Sequence, residues 1–386
     1  MSVSVPAWLA DRLEGAGGSV PFGTFMQWAL HDPKHGYYGS GRARIGPGGD
    51  FATSPSLGSE FSALLLPQLI EWLEQLPSER LSLLEAGPGE GQLASQLALE
   101  LVQLRPDLAA RTELVLLEPN PGMAVLQQQS LQGVPLSVRW TDWDALHLAP
   151  VTGVVVAHEV LDALPVERVL WDGASWRWQH VAIDAGSLCL VAGPVLTPQD
   201  WDRIPALDSS AGGREPGWCT EVHLGLGTWF QACAAALREG VLLVMDYALE
   251  ARRYYAASRP DGTLMAYRDQ QAMADPLQEP GSWDLTAHLC LEAVRAAALG
   301  AGWTVLGERR QGEALLALGL ADRFAALGES CAGNLPEGLR RREQLLRLVD
   351  PLATGDFRWL VFGRPRPGGL VPSLTSRCLQ DPPPLG

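Results

Sequence analysis

The chain has 386 residues and a formal net charge of −15, and 47% of its residues are hydrophobic. This composition excludes a disordered chain, and the length suits one large domain with insertions or two modest domains. The negative charge argues against nucleic acid as a partner, because phosphate binding needs a basic face. The six cysteines are widely spaced and form no C-x-x-C pair, so we assign no disulfide framework and no metal.

The N-terminal part of the chain, residues 1–76, is predicted to be a helical segment with a lid loop. Apolar residues favour helices before residue 35 and recur at helical spacing over 59–76, whereas residues 36–56 are rich in glycine and small polar residues. Long loops in compact proteins often carry function. The first residues lack a basic region followed by an apolar core, so we predict no secretory signal, and no apolar run approaches the ~20 residues that cross a bilayer. We therefore expect a cytoplasmic protein without membrane insertion.

Strands and helices alternate through much of the predicted core, residues 77–365. Predicted strands cover 81–86, 112–118, 136–140, 152–159 and 241–248, and predicted helices cover 91–104, 122–131 and 223–240. The strand at 152–159 is almost continuously apolar, as is typical of a central strand covered on both faces. The alternation predicts an α/β fold with a Rossmann-like, mostly parallel sheet and helices on both faces.

Two segments interrupt this alternation. Period-two patterns between turn residues predict an inserted antiparallel β region at about 165–215, and glycines and prolines predict a long loop at about 249–283. The remaining predicted elements are a helix at 284–302 capped by Asp284, a strand at 303–310, helices within 313–350, a strand at 357–365 and a mobile tail at 366–386.

A glycine-rich turn, LLEAGPGEGQL at 83–93, follows the first core strand. Gly87, Gly89 and Gly91 permit a tight turn and a close approach of ligand to backbone. A dinucleotide pyrophosphate at ~4 Å from Glu85 would be repelled by a few kcal/mol, whereas the ammonium or sulfonium of S-adenosylmethionine would be attracted. Glu90 is expected to point to solvent. The turn therefore favours S-adenosylmethionine as cofactor.

Polar residues after the next two strands extend this prediction. Glu118, followed by Pro119, lies where an acid can accept hydrogen bonds from both ribose hydroxyls. After the third strand, Asp142 is a candidate ligand of the adenine amine and Trp143 a candidate cover of its face. A solvated loop acid and a core tryptophan are the alternatives. Glu85 and Glu118 together indicate an adenosine ligand with cationic groups.

Eight stretches of the chain, in kind and order, resemble the MidA-like methyltransferases, whose mitochondrial member is complex I assembly factor 7. They lie at 29–41, 49–61, 83–93, 157–167, 242–248, 262–268, 280–289 and 357–363, with GDFATSP and HEVLDALP the most specific. The resemblance implies a class I fold that uses S-adenosylmethionine. It also implies a protein arginine as methyl acceptor, with a subunit of a respiratory NADH dehydrogenase-type complex as the mitochondrial example.

Acidic residues at the end of the fourth strand are the candidates for the acceptor site. His158 and Glu159 end this strand, and Asp162 follows three residues later. Ligands bind outside the carboxyl ends of such strands, and carboxylates can hold a guanidinium and accept its proton. We expect Glu159 to clamp the guanidinium with Asp162 as its partner. His158 is either a proton acceptor or a structural histidine, and Asp246 is a weaker candidate or a loop cap.

The lid loop supplies the last candidates. Asp50, Thr53 and Ser54 are expected to fold over the cofactor, with the hydroxyls at its methionine end, or else to cap the next helix. The competing functions are an assembly factor that binds the cofactor but acts by holding a client, a small-molecule methyltransferase and a nicotinamide-dependent dehydrogenase. The oligomeric state is left open, a homodimer included.

Overall fold

The computed structural model describes residues 5–208, 210, 212–327, 331, 334–366, 368 and 374–382. The strands are β1 (Ser19–Pro21), β2 (Leu81–Ala86), β3 (Thr112–Leu117), β4 (Val138–Thr141), β5 (Val151–His158), β6 (Glu167–Trp171), β7 (Trp176–Asp184), β8 (Ser187–Val195), β9 (Cys219–Val222), β10 (Leu237–Asp246), β11 (Ala248–Leu249), β12 (Met265–Arg268), β13 (Gln271–Met273), β14 (Asp284–Thr286), β15 (Leu289–Cys290), β16 (Thr304–Arg310) and β17 (Arg358–Arg364). The helices are α1 (Ala7–Gly15), α2 (Phe22–His31), α3 (Glu60–Gln75), α4 (Gln92–Leu104), α5 (Pro106–Ala109), α6 (Pro121–Ser130), α7 (Trp143–Leu148), α8 (Pro198–Arg203), α9 (Leu226–Ala236), α10 (Ala251–Tyr254), α11 (Leu291–Gly300), α12 (Gln311–Ala317), α13 (Leu320–Ala325) and α14 (Leu335–Val349), with 3-10 turns at Pro55–Leu57 and Arg377–Leu379. None of the helices in this described part of the chain is long and apolar enough to span a bilayer.

The central sheet has seven strands in the order β16-β17-β10-β5-β2-β3-β4. The five strands from β10 to β4 are parallel, and β17 runs antiparallel to both of its neighbours. Successive residues of β2 face opposite sides, so Leu83 joins a core with α3 and α4 and Leu84 joins a core with α9 and α11. The mostly parallel sheet with helices on both faces confirms the predicted fold class.

A separate antiparallel sheet has the order β1-β7-β6-β9, and β8 also pairs with β7, outside this order. The predicted insertion at 165–215 supplies three of these strands. The sheet also takes in β9, beyond the predicted end, and β1 from the N-terminal segment. Leu9, Phe25, Val181 and Leu285 share one apolar core, so the N-terminal helices pack against this sheet and β14.

The segment after β10 differs from its prediction. The expected loop at 249–283 contains two short strands, β12 and β13, and the expected helix at 284–302 begins only at Leu291. Asp284 lies instead in β14, opposite Tyr267 of β12, so it caps no helix. A buried three-residue strand that leads into a helix carries too short a pattern to be told from the first turn of that helix.

Part of the expected mobile tail packs on α3. The side chain of Cys378 is fully buried, and its backbone N–H donates to Gln68 Oε1 at 2.9 Å. The indole N–H of Trp72 donates to Ser376 Oγ at 3.1 Å. These contacts hold residues 374–382 against the helix, whereas residues 367, 369–373 and 383–386 lie outside the described residues.

Candidate functional site

A cavity of about 440 Å³ lies at the carboxyl edge of the central sheet, where ligands of open α/β sheets bind. Strands β2, β3 and β5 end there and bring together Glu85, Glu118 and Glu159. The predicted residues that line the cavity are Thr53, Glu85, Gly87, Gly89, Glu118, Pro119, Trp143, His158 and Glu159. Five others, Asp50, Ser54, Gly91, Asp142 and Asp162, are not among its lining residues.

The glycine turn requires glycine for two reasons. Gly87, Gly89 and Gly91 have φ values of 61°, 54° and 83°, in the left-handed region. A Cβ on Gly87 would also lie 2.9 Å from Val160 Cγ2, and a Cβ on Gly89 would lie 2.8 Å from Ile45 Cδ1. Side chains are therefore excluded where the backbone lines the cavity.

We expect Gly87→Ala to lower the free energy of unfolding by about 1–2 kcal/mol, because alanine is strained in the left-handed region and must displace Val160. Urea unfolding measures this change. Gly227→Ala in α9 is the matched control, since a Cβ there meets nothing within 4 Å. It should leave stability unchanged or raise it. Equal stability of the Gly87→Ala variant and the wild type would contradict the strain argument.

Glu85 is buried at the end of β2, with 6% of the residue exposed. Its Oε2 has no hydrogen-bond partner among the described residues. Burial raises the pKa of this carboxyl to about 8, although a backbone hydrogen bond from Ala94 opposes the shift. No arginine or lysine is among the residues that line the cavity. The Glu85 carboxylate is therefore available to accept a hydrogen bond from a positively charged group of a ligand.

Glu90 does not point to solvent as expected. It lines the cavity, and its Oε1 accepts a hydrogen bond of 2.8 Å from the backbone N–H of Ile45. The lid loop at 36–56 folds onto the glycine turn and supplies that donor. Glu90 and Ile45 are 45 positions apart, so no local pattern in the sequence predicts the contact.

Glu118 is held in a fixed orientation. Its Oε1 accepts hydrogen bonds from the Asn120 backbone N–H at 2.8 Å and the Asn120 amide at 2.9 Å, and its Oε2 accepts one from Gln127 at 2.8 Å. Gln127 also donates to the Gly89 carbonyl at 2.9 Å. The acid after β3 and the glycine turn after β2 are thus linked through one side chain.

Asp142 and Trp143 are neighbours in the chain but make different contacts in the structure. Asp142 Oδ1 accepts a hydrogen bond of 2.7 Å from the Ala145 backbone N–H and caps α7. The cap uses one carboxylate oxygen, and the adenine contact of Asp142 stays a prediction. Trp143 does line the cavity, next to Trp229, with the two ring centroids 6.1 Å apart in an edge-to-face arrangement.

Two of the three residues predicted in the lid loop, Asp50 and Ser54, form hydrogen bonds with other parts of the chain and do not line the cavity. Asp50, only 3% exposed, accepts hydrogen bonds from the Tyr37 hydroxyl at 2.8 Å and the Asp269 backbone N–H at 3.1 Å. Ser54 is fully buried and accepts one from Gln311 at 3.2 Å. Asp50 and Ser54 therefore fix the loop, while Thr53 faces the cavity.

The turn after β5 presents the predicted acceptor residues. Glu159 has a φ of 51°, unusual for a residue other than glycine. Asp246 Oδ2 accepts hydrogen bonds from the backbone N–H groups of Leu161 at 3.0 Å and Asp162 at 3.2 Å, which fits the loop-cap alternative. Asp162 is 5% exposed, and its Oδ1 has no hydrogen-bond partner within the described ranges. The structure thus brings Glu159 and Asp162 onto one short turn.

The electrostatics of this turn favour uncharged side chains. Burial and the neighbouring acids Asp162, Asp246 and Asp284 raise the pKa of Glu159 well above its usual range. Burial raises the pKa of Asp162 to about 7 and lowers that of His158 to about 3. His158 Nδ1 lies 3.4 Å from Glu159 Oε1, but a neutral imidazole does not neutralise the carboxylate. A bound cation would compensate the charge of these acids.

Sequence reasoning missed part of the cavity wall. Gln27, His31, Tyr38 and Trp229 also line it, and His31 Nδ1 lies 3.3 Å from Asn120 Oδ1. Tyr38 donates a hydrogen bond of 2.9 Å to Asp284. The stretch at 29–41 contains His31 and Tyr38, so the resemblance offered a signal for them but no role.

The sheet order, the glycine turn and the acids at the strand ends define a class I methyltransferase. Residues 64–309 match the family described as "Putative S-adenosyl-L-methionine-dependent methyltransferase", and the chain belongs to this family. A solved COG1565 superfamily member from Burkholderia thailandensis, bound to S-adenosyl-homocysteine, is 30% identical, with a TM-score of 0.81 over 94% of this chain and 92% of that one. The predicted family, activity and S-adenosylmethionine dependence are confirmed.

Two curated relatives bear on the methyl acceptor and on the localisation. A Drosophila melanogaster protein named "Protein arginine methyltransferase NDUFAF7 homolog, mitochondrial" is 30% identical over 307 residues, 72% of this chain and 66% of its own length. The Homo sapiens "Protein arginine methyltransferase NDUFAF7, mitochondrial" is 29% identical over 363 residues, 87% of this chain and 77% of its own. The prediction of a cytoplasmic protein is wrong by this comparison, because the relatives are named mitochondrial.

Proposed function

We propose that this methyltransferase acts on an arginine side chain of a protein. The observation that carries the proposal is the pair Glu159, which lines the cavity, and Asp162, which lies on the same turn behind it. Each has a buried carboxylate oxygen that lacks a hydrogen-bond partner in the described part of the chain. The names of the relatives support arginine as the acceptor. The resemblance adds a subunit of a respiratory NADH dehydrogenase-type complex as the acceptor protein.

On the cofactor side, we assign Glu85 to the ammonium of S-adenosylmethionine, because its buried Oε2 is free to accept. Gly87 and Gly89 allow the cofactor to approach the backbone, and Glu118, next to Pro119, is the acceptor for the ribose hydroxyls. Trp143 covers the adenine. When bound, S-adenosylmethionine supplies a methyl group on a sulfonium that is already a good leaving group.

On the acceptor side, the chain has to activate a poor nucleophile. A guanidinium is delocalised and permanently charged, so its nitrogen lone pairs are poorly available. Glu159 and Asp162 would hold its N–H groups and localise the positive charge away from the reacting nitrogen. Because the pKa of Asp162 is about 7, this carboxylate is suited to accept the proton that the nitrogen loses. His158, whose Nε2 has no partner among the described residues, is the alternative proton acceptor.

A single-turnover reaction with S-adenosylmethionine labelled on its methyl group tests the proposal. The purified protein is mixed with proteins from cells that lack this gene product, and mass spectrometry then locates the label. We expect label on arginine of a respiratory-complex subunit. Label on another residue type, or on a small molecule, would refute the acceptor. Cofactor binding without any transfer would favour an assembly factor that acts by holding its client.

A further inference from the structure

A tyrosine that lines the cavity is hydrogen-bonded to a buried aspartate, and both residues lie outside the Rossmann-like strands. Tyr38, in the loop after α2, lines the cavity together with Glu159. Its hydroxyl donates a hydrogen bond of 2.9 Å to Oδ1 of Asp284, which lies in β14 and is 2% exposed. The two residues are 246 positions apart in the chain.

This pair is joined to the turn that carries the proposed clamp. The backbone N–H of Ala287, just after β14, donates to the Asp162 carbonyl at 3.0 Å. The backbone segments that carry Asp284 and Asp162 are therefore held side by side. Tyr38 and Glu159, which both line the cavity, are thus attached to neighbouring backbone segments.

Tyr38, Glu159 and Asp162 can each offer a hydrogen-bond acceptor to a ligand. A tyrosine hydroxyl has one proton, and in Tyr38 that proton is directed to Asp284, so the phenol oxygen can only accept from the cavity. When ionised, Glu159 and Asp162 are also acceptors only, and Glu159 Oε1 and Asp162 Oδ1 have no hydrogen-bond partner among the described residues. A guanidinium has five N–H donors and no acceptor, so it complements such a site.

We infer that Tyr38 binds the acceptor arginine through its phenol oxygen, and that Asp284 is the positioning residue that directs the Tyr38 hydroxyl away from the cavity. This inference rests on the proposed arginine acceptor and adds a further hydrogen-bond acceptor to the Glu159 and Asp162 clamp. It also gives a role to a buried acid that the fold does not use as a helix cap.

The charge state of Asp284 is consistent with this role. Burial raises its pKa to about 8, and the neighbouring Asp162 and Asp50 add to the shift. A guanidinium that enters the cavity favours the ionised carboxylate. The ionised form can only accept a hydrogen bond, so cation binding and the required direction of the Tyr38 hydroxyl support each other.

Calorimetry with two small probes tests the inference on the full chain saturated with S-adenosyl-homocysteine. The probes are N-acetyl-L-arginine methylamide and N-acetyl-L-lysine methylamide. We expect Tyr38→Phe and Asp284→Asn each to weaken arginine-probe binding by about tenfold. The first removes an acceptor for the charged guanidinium. The second replaces a carboxylate that can only accept with an amide whose N–H₂ can donate to the Tyr38 oxygen and turn its hydroxyl toward the cavity. The double variant should be no weaker than Tyr38→Phe. Methyl transfer to protein arginine in the same variants should show a raised KM with a smaller change in kcat.

Tyr255→Phe is the matched control, because Tyr255 is also buried but lies in the core of the antiparallel sheet and not at the cavity. It should bind the arginine probe as the wild type does. Unchanged probe affinity and unchanged KM in both the Tyr38→Phe and Asp284→Asn variants would overturn the inference and leave the proposed function intact. An equal loss of S-adenosyl-homocysteine and probe affinity would also overturn it, since that pattern marks a structural role. A wild type that methylates no arginine would overturn both.

Discussion

Glu159→Gln is expected to lower the single-turnover rate of methyl transfer to arginine by about a thousandfold, within the range for loss of one electrostatic contact that acts in the transition state, while affinity for S-adenosylmethionine stays within a few-fold. Glutamine keeps the shape of the side chain but cannot ionise. Its amide N–H₂ would also face the N–H groups of a guanidinium as a second donor. The resting carboxyl has a raised pKa because it is buried among other acids, so its ionised form depends on the cation that it holds.

Glu100→Gln is the matched control for this experiment. Glu100 lies on α4, is half-buried, accepts a hydrogen bond of 3.0 Å from Ser62 and does not line the cavity. Rapid-quench measurements with labelled cofactor give the rate, and calorimetry gives the affinity. A Glu159→Gln variant that transfers methyl at the wild-type rate would remove Glu159 from the acceptor site. Loss of cofactor binding in the same variant would instead assign Glu159 to the cofactor.

The sequence was sufficient to predict the part of the site that regular secondary structure creates. Glu85, Glu118 and Glu159 each end or follow a strand with a clear apolar pattern. Parallel strands place their carboxyl ends at one edge of a sheet, so these acids had to converge once the sheet was recognised. The glycine turn was equally visible, because left-handed backbone at Gly87 and Gly89 requires glycine.

The rest of the cavity depends on contacts between distant segments. Glu90 meets Ile45, and Tyr38 meets Asp284, through hydrogen bonds that span 45 and 246 positions. No periodicity records such contacts. Asp142 shows a different difficulty, because a short acid before a helix can serve either as a cap or as a ligand, and here it caps α7.

Glu85→Gln is expected to change stability and cofactor affinity in opposite directions. The folded protein without ligand holds the Glu85 proton up to a pKa of about 8, whereas an unfolded glutamate releases it near pH 4. The folded state therefore binds more protons between these values, and the contribution of this group to stability falls as pH rises through that window. Glutamine carries no charge at any pH, so above pH 8 the ligand-free variant should be more stable than the wild type, on the order of 3 kcal/mol.

The same Glu85→Gln substitution should weaken cofactor binding. The ionised Glu85 attracts the ammonium of the cofactor, so the variant should bind S-adenosyl-homocysteine more weakly by about 2 kcal/mol, or roughly thirtyfold. Unfolding curves at pH 6 and pH 9, with and without S-adenosyl-homocysteine, measure both effects in one series. In the wild type, the ligand should raise the free energy of unfolding more at pH 9 than at pH 6, because the Glu85 carboxylate is already ionised at pH 9 before the ligand binds.

Glu167→Gln separates the two effects. Glu167 is partly buried, accepts a hydrogen bond of 3.0 Å from the Gly23 backbone N–H, has a pKa raised by burial and lies away from the cavity. Its substitution should alter the pH dependence of stability without altering cofactor affinity. If Glu85→Gln behaved in the same way, the carboxylate at the end of β2 would be a buried acid without a ligand. The electrostatic reason for preferring S-adenosylmethionine over a pyrophosphate-bridged dinucleotide at this turn would then be lost, and the choice would have to rest on the shape of the cavity.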